Sequence, residues 1–311
     1  MTNSAGGPGP TGLLEVIGAK PGSGRLTHTP VLISARRILR WWPIAIVTVA
    51  VVAAAVPSIL SPQDPNVIHL GARLVKPGTT SGGTHFILGT DELGRDILSR
   101  VIWGARTSVI VAVVAVFVSG LIGGALGVLA GVRPKILGVV IMRLADLVLS
   151  VPFFLLAILV VAVLGASVVN EVIVLALVRW PRYTRVAYGQ TIEAANREFV
   201  RSAVALGARQ TRVVFRHILP EVLPSLVVVA TLEVGLMIVF EAALSFIGLG
   251  PPPPAPSWGS MLSDGQQYVA TAWWISTFPG VALFLVVLAV NKIGDRVRDR
   301  LDPRSRKTGL S

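Results

Sequence analysis

Long uncharged apolar runs alternate with short arginine-bearing polar stretches along most of this chain. Its first thirty residues are rich in Gly, Pro, Ser and Thr and have no apolar period, so they lack the burial needed to offset the entropy of ordering. Arg36, Arg37 and Arg40 follow, and residues 1–40 read as a disordered basic tail. An uncharged run then opens at Trp41 and is long enough to cross roughly 30 Å of hydrocarbon, with Trp41 and Trp42 at the interface. Residues 41–60 are the first predicted span. Basic residues, an apolar core and the small pair Ala53 and Ala55 also mimic a cleaved signal peptide, a reading disfavoured by the many spans that follow.

Residues 61–106 form a polar excursion containing ILGTDELGRDILSR, whose latter half predicts a short interfacial helix with Ile97, Leu98 and Val101 on one side. The second span, 107–132, is free of charge and holds overlapping small-residue pairs: Gly120 with Gly124, Gly123 with Gly127, and Gly127 with Gly131. Such pairs let a second helix backbone approach closely, which holds helices together where lipid removes the hydrophobic drive. The third span, 136–165, carries Arg143 and Asp146 three apart, close enough to pair on one helix face.

Hydropathy weakens next, because Arg179, Pro181, Arg182 and Arg185 interrupt the apolar run. Parity restores a fourth span at 167–190: basic residues flank both the first span and the tail GDRVRDRLDPRSRK, so both termini are expected inside and the crossings must be even in number. A fifth span runs from Pro220 or Pro224 to Phe246, GLGPPPPAPSWG makes an extended outer strap, and a sixth span covers 273–291. The expected fold is all-α, a polytopic bundle of six membrane helices: an extracytoplasmic segment at 61–106, a core at 107–304, and a short cytoplasmic tail at 305–311.

Composition agrees with a membrane protein. The 311 residues are 53% hydrophobic and only 14% charged, against about 25% in soluble domains. The net charge of +12 is spread beside apolar runs and not gathered on a soluble face with interleaved aromatics, so nucleic acid is not the expected partner; the lipid bilayer is. With no cysteine and only four scattered histidines, neither a metal site nor a bound cofactor is expected.

The polar segment 191–220 breaks this pattern. Phe199, Val200, Ala203 and Leu206 keep a helical period, and Gly207 is placed to end that helix in the left-handed conformation that glycine adopts cheaply. Val213, Val214 and Phe215 lead a second short helix with Arg209, Arg212 and Arg216 on its polar side. Such an insert reads either as an ordinary positive loop or as a docking element for a soluble partner. The corner and the terminal Leu219-Pro220 favour docking.

At these residues the chain resembles the permeases of ATP-binding-cassette importers, whose cytoplasmic signature is Glu-Ala-Ala, three residues, Gly, nine residues, Ile-x-Leu-Pro. Aligned on Gly207 and Leu219-Pro220, the signature places Arg201, Ser202 and Ala203 at the Glu-Ala-Ala positions and His217 at the Ile position, so the acid is replaced by arginine. LGTDELGRDILSRVIWGARTS, EAALSFIGLGPPPPAPSWGSML and FPGVALFLVVLAVNKIGDRVRDRLDPR extend the resemblance over about 36–304 and narrow it to the C-type permease subunit of dipeptide, oligopeptide and nickel importers. The resemblance implies a second homologous permease, two cytoplasmic ATPases and an extracytoplasmic solute-binding protein, in a bacterial cell membrane. It also implies coupling to the ATPase through Arg201, Ser202, Ala203, Leu206, Gly207, Ala208, Arg212, His217, Leu219 and Pro220.

The chain lacks GxxxxGK[ST], GxSxG and HExxH, so it is not expected to be an enzyme; ATP and Mg belong to the partner ATPases. Ionisable residues within spans are costly, which makes Asp146, Arg179, Glu233 and Glu241 the candidates for a translocation pathway. Glu233 and Glu241, eight apart on one helix, are directed about 80° apart and so could roughly face one cavity. The expected activity is import of short peptides by alternating access. Import of nickel, haem or another small solute shares the same architecture, and an ATPase-independent transporter would instead often show inverted repeats, which the sequence lacks.

Overall fold

A computed structural model describes the backbone of residues 30–301 and the side chains of residues 41–300, so most of the expected basic tail at 1–40 and the tail at 305–311 lie outside the described residues. Two compact units divide the chain, Met1–Arg40 and Trp41–Ser311. Helix α1 covers Pro30–Ala55, and the elements that position the candidate site all belong to the second unit.

A short helix, α2 (Pro57–Leu60), leads into the outer segment. There β1 (Thr79–Ser81) and β2 (Thr84–Phe86) pair antiparallel, Thr79 opposite Phe86. Gly82 and Gly83 at the hairpin tip both have positive φ, 57° and 79°, the geometry a tight two-residue hairpin needs. This hairpin is the one departure from the expected all-α fold among the described residues.

Helix α3 (Ile97–Val132) is continuous over 36 residues. The interfacial helix expected at Ile97, Leu98 and Val101 is therefore the first turns of this long helix and not a separate element. Its start is fixed by Asp96, whose carboxylate accepts from the Ser99 amide at 2.8 Å and the Ser99 hydroxyl at 2.6 Å. Gly104, the only potential breaker before Thr107, lies against Trp258, where a Cβ would stand 3.1 Å from the ring.

Four further helices complete the first half of the bundle's connections: α4 (Ile136–Ser150), α5 (Phe153–Leu164), α6 (Val168–Ala195) and α7 (Glu198–Ala205). The expected third span is not one straight helix. Pro152 separates α4 from α5, and the two are bent by 92°. The second half comprises α8 (Gln210–Val213), a π-helical turn (Val214–Ile218), α9 (Leu219–Phe246), α10 (Trp258–Gln266) and α11 (Trp274–Leu301). Helix α9 begins at Leu219 with Pro220 in its first turn, close to the expected start, and α8 and the π turn extend it back to Gln210 as one apolar helix.

Among the described residues, three helices are long and apolar enough to cross a membrane: Ile97–Val132, Gln210–Phe246 and Trp274–Arg300. The bent pair α4 and α5 makes a fourth if it counts as one span. Six straight crossings are therefore not found. The apolar helix at Trp41–Ala55 is short, and α6 carries Glu171, Arg179, Arg182, Arg185 and Glu193.

The predicted small-residue pairs have a definite role. Gly123, Gly127 and Gly131 all face α6: a Cβ on Gly127 would meet the Thr184 carbonyl and stand 2.5 Å from Ala187 Cβ, and one on Gly131 would stand 2.5 Å from Thr191. The approach is close enough for Thr184 Oγ1 of α6 to donate to the Gly123 carbonyl of α3 at 3.0 Å. Around this seam, Val111, Ala112, Ala115, Val174, Leu175, Met237 and Ile238 form the central core. A second cluster (Val128, Ala194, Val200, Val213, Ile218, Val222) packs the insert onto one end of the bundle, and a third (Ile97, Met261, Ala272, Trp274, Ile275) closes the other.

Gly127→Leu is expected to force α3 and α6 apart and to destabilise the protein by about 2–4 kcal/mol, the range of severe overpacking in a buried contact. Thermal unfolding of the purified protein in detergent checks this; an unchanged midpoint would refute the seam.

Candidate functional site

Two regions carry the polar residues that the sequence singles out. At the insert end, α6 stops at Ala195 and α7 starts at Glu198, so Glu193 closes α6 and does not belong to the first helix of the insert. Gly207 then adopts φ 83°. Its amide donates to the Val204 carbonyl at 3.0 Å, and the Ala208 amide donates to the Ala203 carbonyl at 3.1 Å, the paired bonds of a Schellman stop. No atom lies within 4 Å of where a Gly207 Cβ would be, so it is the backbone conformation and not crowding that requires glycine.

The inner side of this corner is anchored. Val200, Val213 and Ile218 are buried, Phe199 meets His217 edge-on with ring centroids 5.9 Å apart, and Arg197 pairs with Glu221 at 2.9 Å. The outer side is bare. Leu206 is 89% exposed and Phe215 70% exposed, while Arg201, Ser202, Arg212 and Pro220 are also exposed and Ala203, Ala208, His217 and Leu219 are half-buried. An apolar tip ringed by arginines on a well-anchored corner is suited to enter a groove on another protein.

The second region lies between α6 and α9. Arg179 makes two parallel bonds to Glu233, Nε to Oε2 at 2.8 Å and Nη2 to Oε1 at 2.7 Å, and its guanidinium lies 5.6 Å from the Phe240 ring centroid. Arg182 reaches the same carboxylate at 3.0 Å. Glu233 is 1% exposed, so it depends on both arginines for its charge. The expected pairing of Arg143 with Asp146 is absent. Asp146 instead takes Arg185 of α6 at 2.7 Å, because α4 packs against that helix and presents the carboxylate to it.

Glu233 and Glu241 are both buried and have different partners. Glu241 is fully buried near the far end of α9, where it accepts from Ser245 at 3.0 Å and lies within electrostatic reach of buried Glu171 on α6. A cleft of about 440 Å³ lies elsewhere, lined by residues including Asp64, Trp103, Arg106, Val168 and Pro254, and none of the four candidate pathway residues borders it. Arg182 and Arg185, read from sequence as interrupting the fourth span and not as pathway candidates, stand at three-residue steps from Arg179, which places all three on neighbouring parts of one helix face.

The Asp91, Glu92, Arg95 and Asp96 motif proves to be a structural lock. Asp91 accepts from the amides of Leu93 and Arg95, each at 2.9 Å, and from Arg95 Nε at 2.6 Å; Arg100 and Arg95 also reach Asp264 of α10 at 3.5 and 3.8 Å. Trp274 Nε1 donates to the Thr90 carbonyl at 3.0 Å, and Trp258 Nε1 to the Val101 carbonyl at 3.0 Å. The outer segment is thereby tied to α3, α10 and α11. Burial raises both the Glu92 and the Asp264 carboxyl above the usual carboxylate range, against the pull of the arginines.

These features are those of a helical membrane protein. Residues 123–307 match the family described as binding-protein-dependent transport system inner membrane component, and the chain belongs to that family. It is 42% identical over 246 residues to the di/tripeptide transport system permease protein DppC of Pseudomonas aeruginosa, covering 79% of this chain and 81% of that one. It is 40% identical over 246 residues to the probable D,D-dipeptide transport system permease protein DdpC of Escherichia coli, with the same coverage of 79% and 81%. Among solved structures, the inward-facing MetNI methionine ABC transporter aligns over 66% of this chain and 98% of its own with a TM-score of 0.55; at 21% identity this shows the fold. The chain is thus a transport subunit and not an enzyme, as expected from sequence.

Glu233→Ala strands Arg179 without its buried partner and is expected to cost about 3–5 kcal/mol, the range for breaking a buried pair. Arg182→Ala leaves the Arg179 fork intact and is expected to cost less than about 1 kcal/mol, since Arg182 is half-exposed. Thermal unfolding of the two variants side by side tests the ranking. At the outer lock, Asp264→Asn has a distinct signature. A raised carboxyl pKa favours the folded state at low pH, and that contribution is lost as pH rises through the raised value. The Asn variant should therefore show a flatter dependence of unfolding temperature on pH across the acid range; an unaltered profile would mean that folding does not raise the Asp264 carboxyl.

Proposed function

We propose that this chain is one of two permease subunits of an ATP-driven importer of short peptides and that it provides half of the translocation pathway. The peptide cargo comes from the names of its relatives, which transport dipeptides and tripeptides at about 40% identity over most of the chain. A homologous second permease, two cytoplasmic ATPases holding ATP and Mg, and an extracytoplasmic solute-binding protein complete the assembly. In this reading the chain lies in a bacterial cell membrane with both termini and the 191–220 insert on the cytoplasmic side. On the same reading Trp41–Ala55 and α6, which fall short of the length or apolarity of a free-standing span, cross packed against their neighbours.

The observation that carries the reading is the corner at Gly207. Its inner face is built into the bundle through Val200, Val213 and Ile218, while its outer face offers Leu206 and Phe215. A force applied at that tip passes through α7 to α6 and through the unbroken Gln210–Phe246 helix to α9. Arg201, Ser202, Ala203 and Arg212 border the tip, and Leu219 and Pro220 lie where the insert joins the long helix. Closure of the ATPases on ATP would pull these helices and open the pathway outward, and hydrolysis would reset it. Asp146, Arg179, Glu233 and Glu241 remain the candidates for polar lining, and Asp146 is the most exposed of them.

Leu206→Glu tests this without disturbing the core. The side chain is almost wholly exposed, so folding and pairing of the permeases should be unaffected, while ATP-driven uptake of a labelled dipeptide into proteoliposomes carrying the full importer should fall roughly tenfold or more, the effect of losing an interface anchor. Gly207→Pro, which cannot adopt positive φ, should uncouple hydrolysis from uptake in the same assay. Normal uptake by either variant in a fully assembled complex would sink the coupling role.

A further inference from the structure

The exposed positions of α6 fall in two groups on different faces: Val168, Val169, Ile173 and Leu177 in its first half, and Arg182, Arg185, Gly189, Ile192 and Glu193 in its second. Lipid can cover the first group. It cannot cover the arginines without a cost of several kcal/mol, so the second group faces water or protein. Within that group, Arg185 is neutralised by Asp146. Arg179 and Arg182 share the single carboxylate of Glu233, so this three-residue cluster carries one surplus positive charge.

The two arginines are not equivalent. Arg179 is committed, with both edges of its fork on Glu233 and its plane beside Phe240. Arg182 touches Glu233 through Nη1 alone and is 52% exposed, so the rest of its fork remains available. We propose that Arg182 receives the terminal carboxylate of a peptide as it passes through the pathway; this rests on the peptide-importer reading above. A planar guanidinium with open donors is matched to a carboxylate, and Glu233 holds it in place without saturating it.

A lipid phosphate or an acid on the second permease would also neutralise the charge. Arg182 lies about half-way along the 28-residue α6, roughly 20 Å from either end. Phosphate headgroups lie at the bilayer surfaces, so depth favours a cargo group.

The test compares a dipeptide with a free carboxylate and the same dipeptide amidated at its C-terminus, taken up into proteoliposomes by the complete importer with saturating binding protein. In Arg182→Gln, turnover of the free acid should fall roughly tenfold or more, the effect of losing a charge-assisted hydrogen bond, while turnover of the amide changes less than about twofold. Arg182→Lys keeps the charge and should retain the preference for the free acid in part. If Arg182→Gln does not assemble, the ratio of the two substrates in the Lys variant decides: a ratio shifted from the native one toward the amide supports the proposal, and a native ratio overturns it. Equal losses for both peptides would also overturn it and point to a lipid or a neighbouring subunit, as would no loss at all. If the native importer takes up neither peptide, it is the peptide-importer reading that fails.

Discussion

A helix with five ionisable residues sits inside an apolar bundle here, and the close backbone seam between α3 and α6 is what makes that possible. Apolar side-chain burial alone gives α6 little hold where the surroundings are as greasy as the core. Gly123, Gly127 and Gly131 remove three side chains from the interface, so the backbones approach until Thr184 can bond a carbonyl of the facing helix. Once α6 is fixed there, its arginines lie within reach of Glu233 on α9 and Asp146 on α4. The seam therefore precedes the charge cluster in the logic of the fold.

Helix α3 also links the two ends of the molecule. Its first residue, Ile97, belongs to the outer cluster with Trp274 and Met261, and Val128 near its last turn belongs to the cluster that seats the insert. The outer end is held by directional bonds: Asp91 with its two amides and Arg95, and the two indoles on the Thr90 and Val101 carbonyls. The insert end is held by apolar contacts and by Arg197, which pairs with Glu221 and Glu193. Bonds with fixed geometry resist sliding, and apolar contacts with few polar constraints permit it. Motion imposed at the insert is thus more easily absorbed by tilting of α6 and α9 than by release of the outer segment.

Much of this was legible in the sequence where the signal is local. The glycine period at 120–131 and the positive-φ corner at Gly207 each depend on the backbone of a few consecutive residues. What could not be read was partner choice across helices. Asp146 had an arginine three residues away and took another from α6, and Glu233 took two arginines from that helix, because helix packing decided which side chains met. Hydropathy likewise missed the bend at Pro152 and undervalued α6, since a window average cannot tell a charge satisfied by a neighbour from one that faces solvent.

The replacement of an acid by Arg201 in the insert is best understood through the surroundings of the corner. Arg201 is exposed on α7, one turn after Arg197, which is already bound to Glu193 and Glu221. An acid at 201 would lie on the same helix as Arg197 and compete with Glu221 for it, loosening the tie between α7 and the long helix that continues into α9. Arginine at this position leaves that tie undisturbed and adds to the positive ring around Leu206 and Phe215. The corner thereby keeps its rigidity while its apolar tip gains a positive surround, a combination complementary to an acidic rim around an apolar groove.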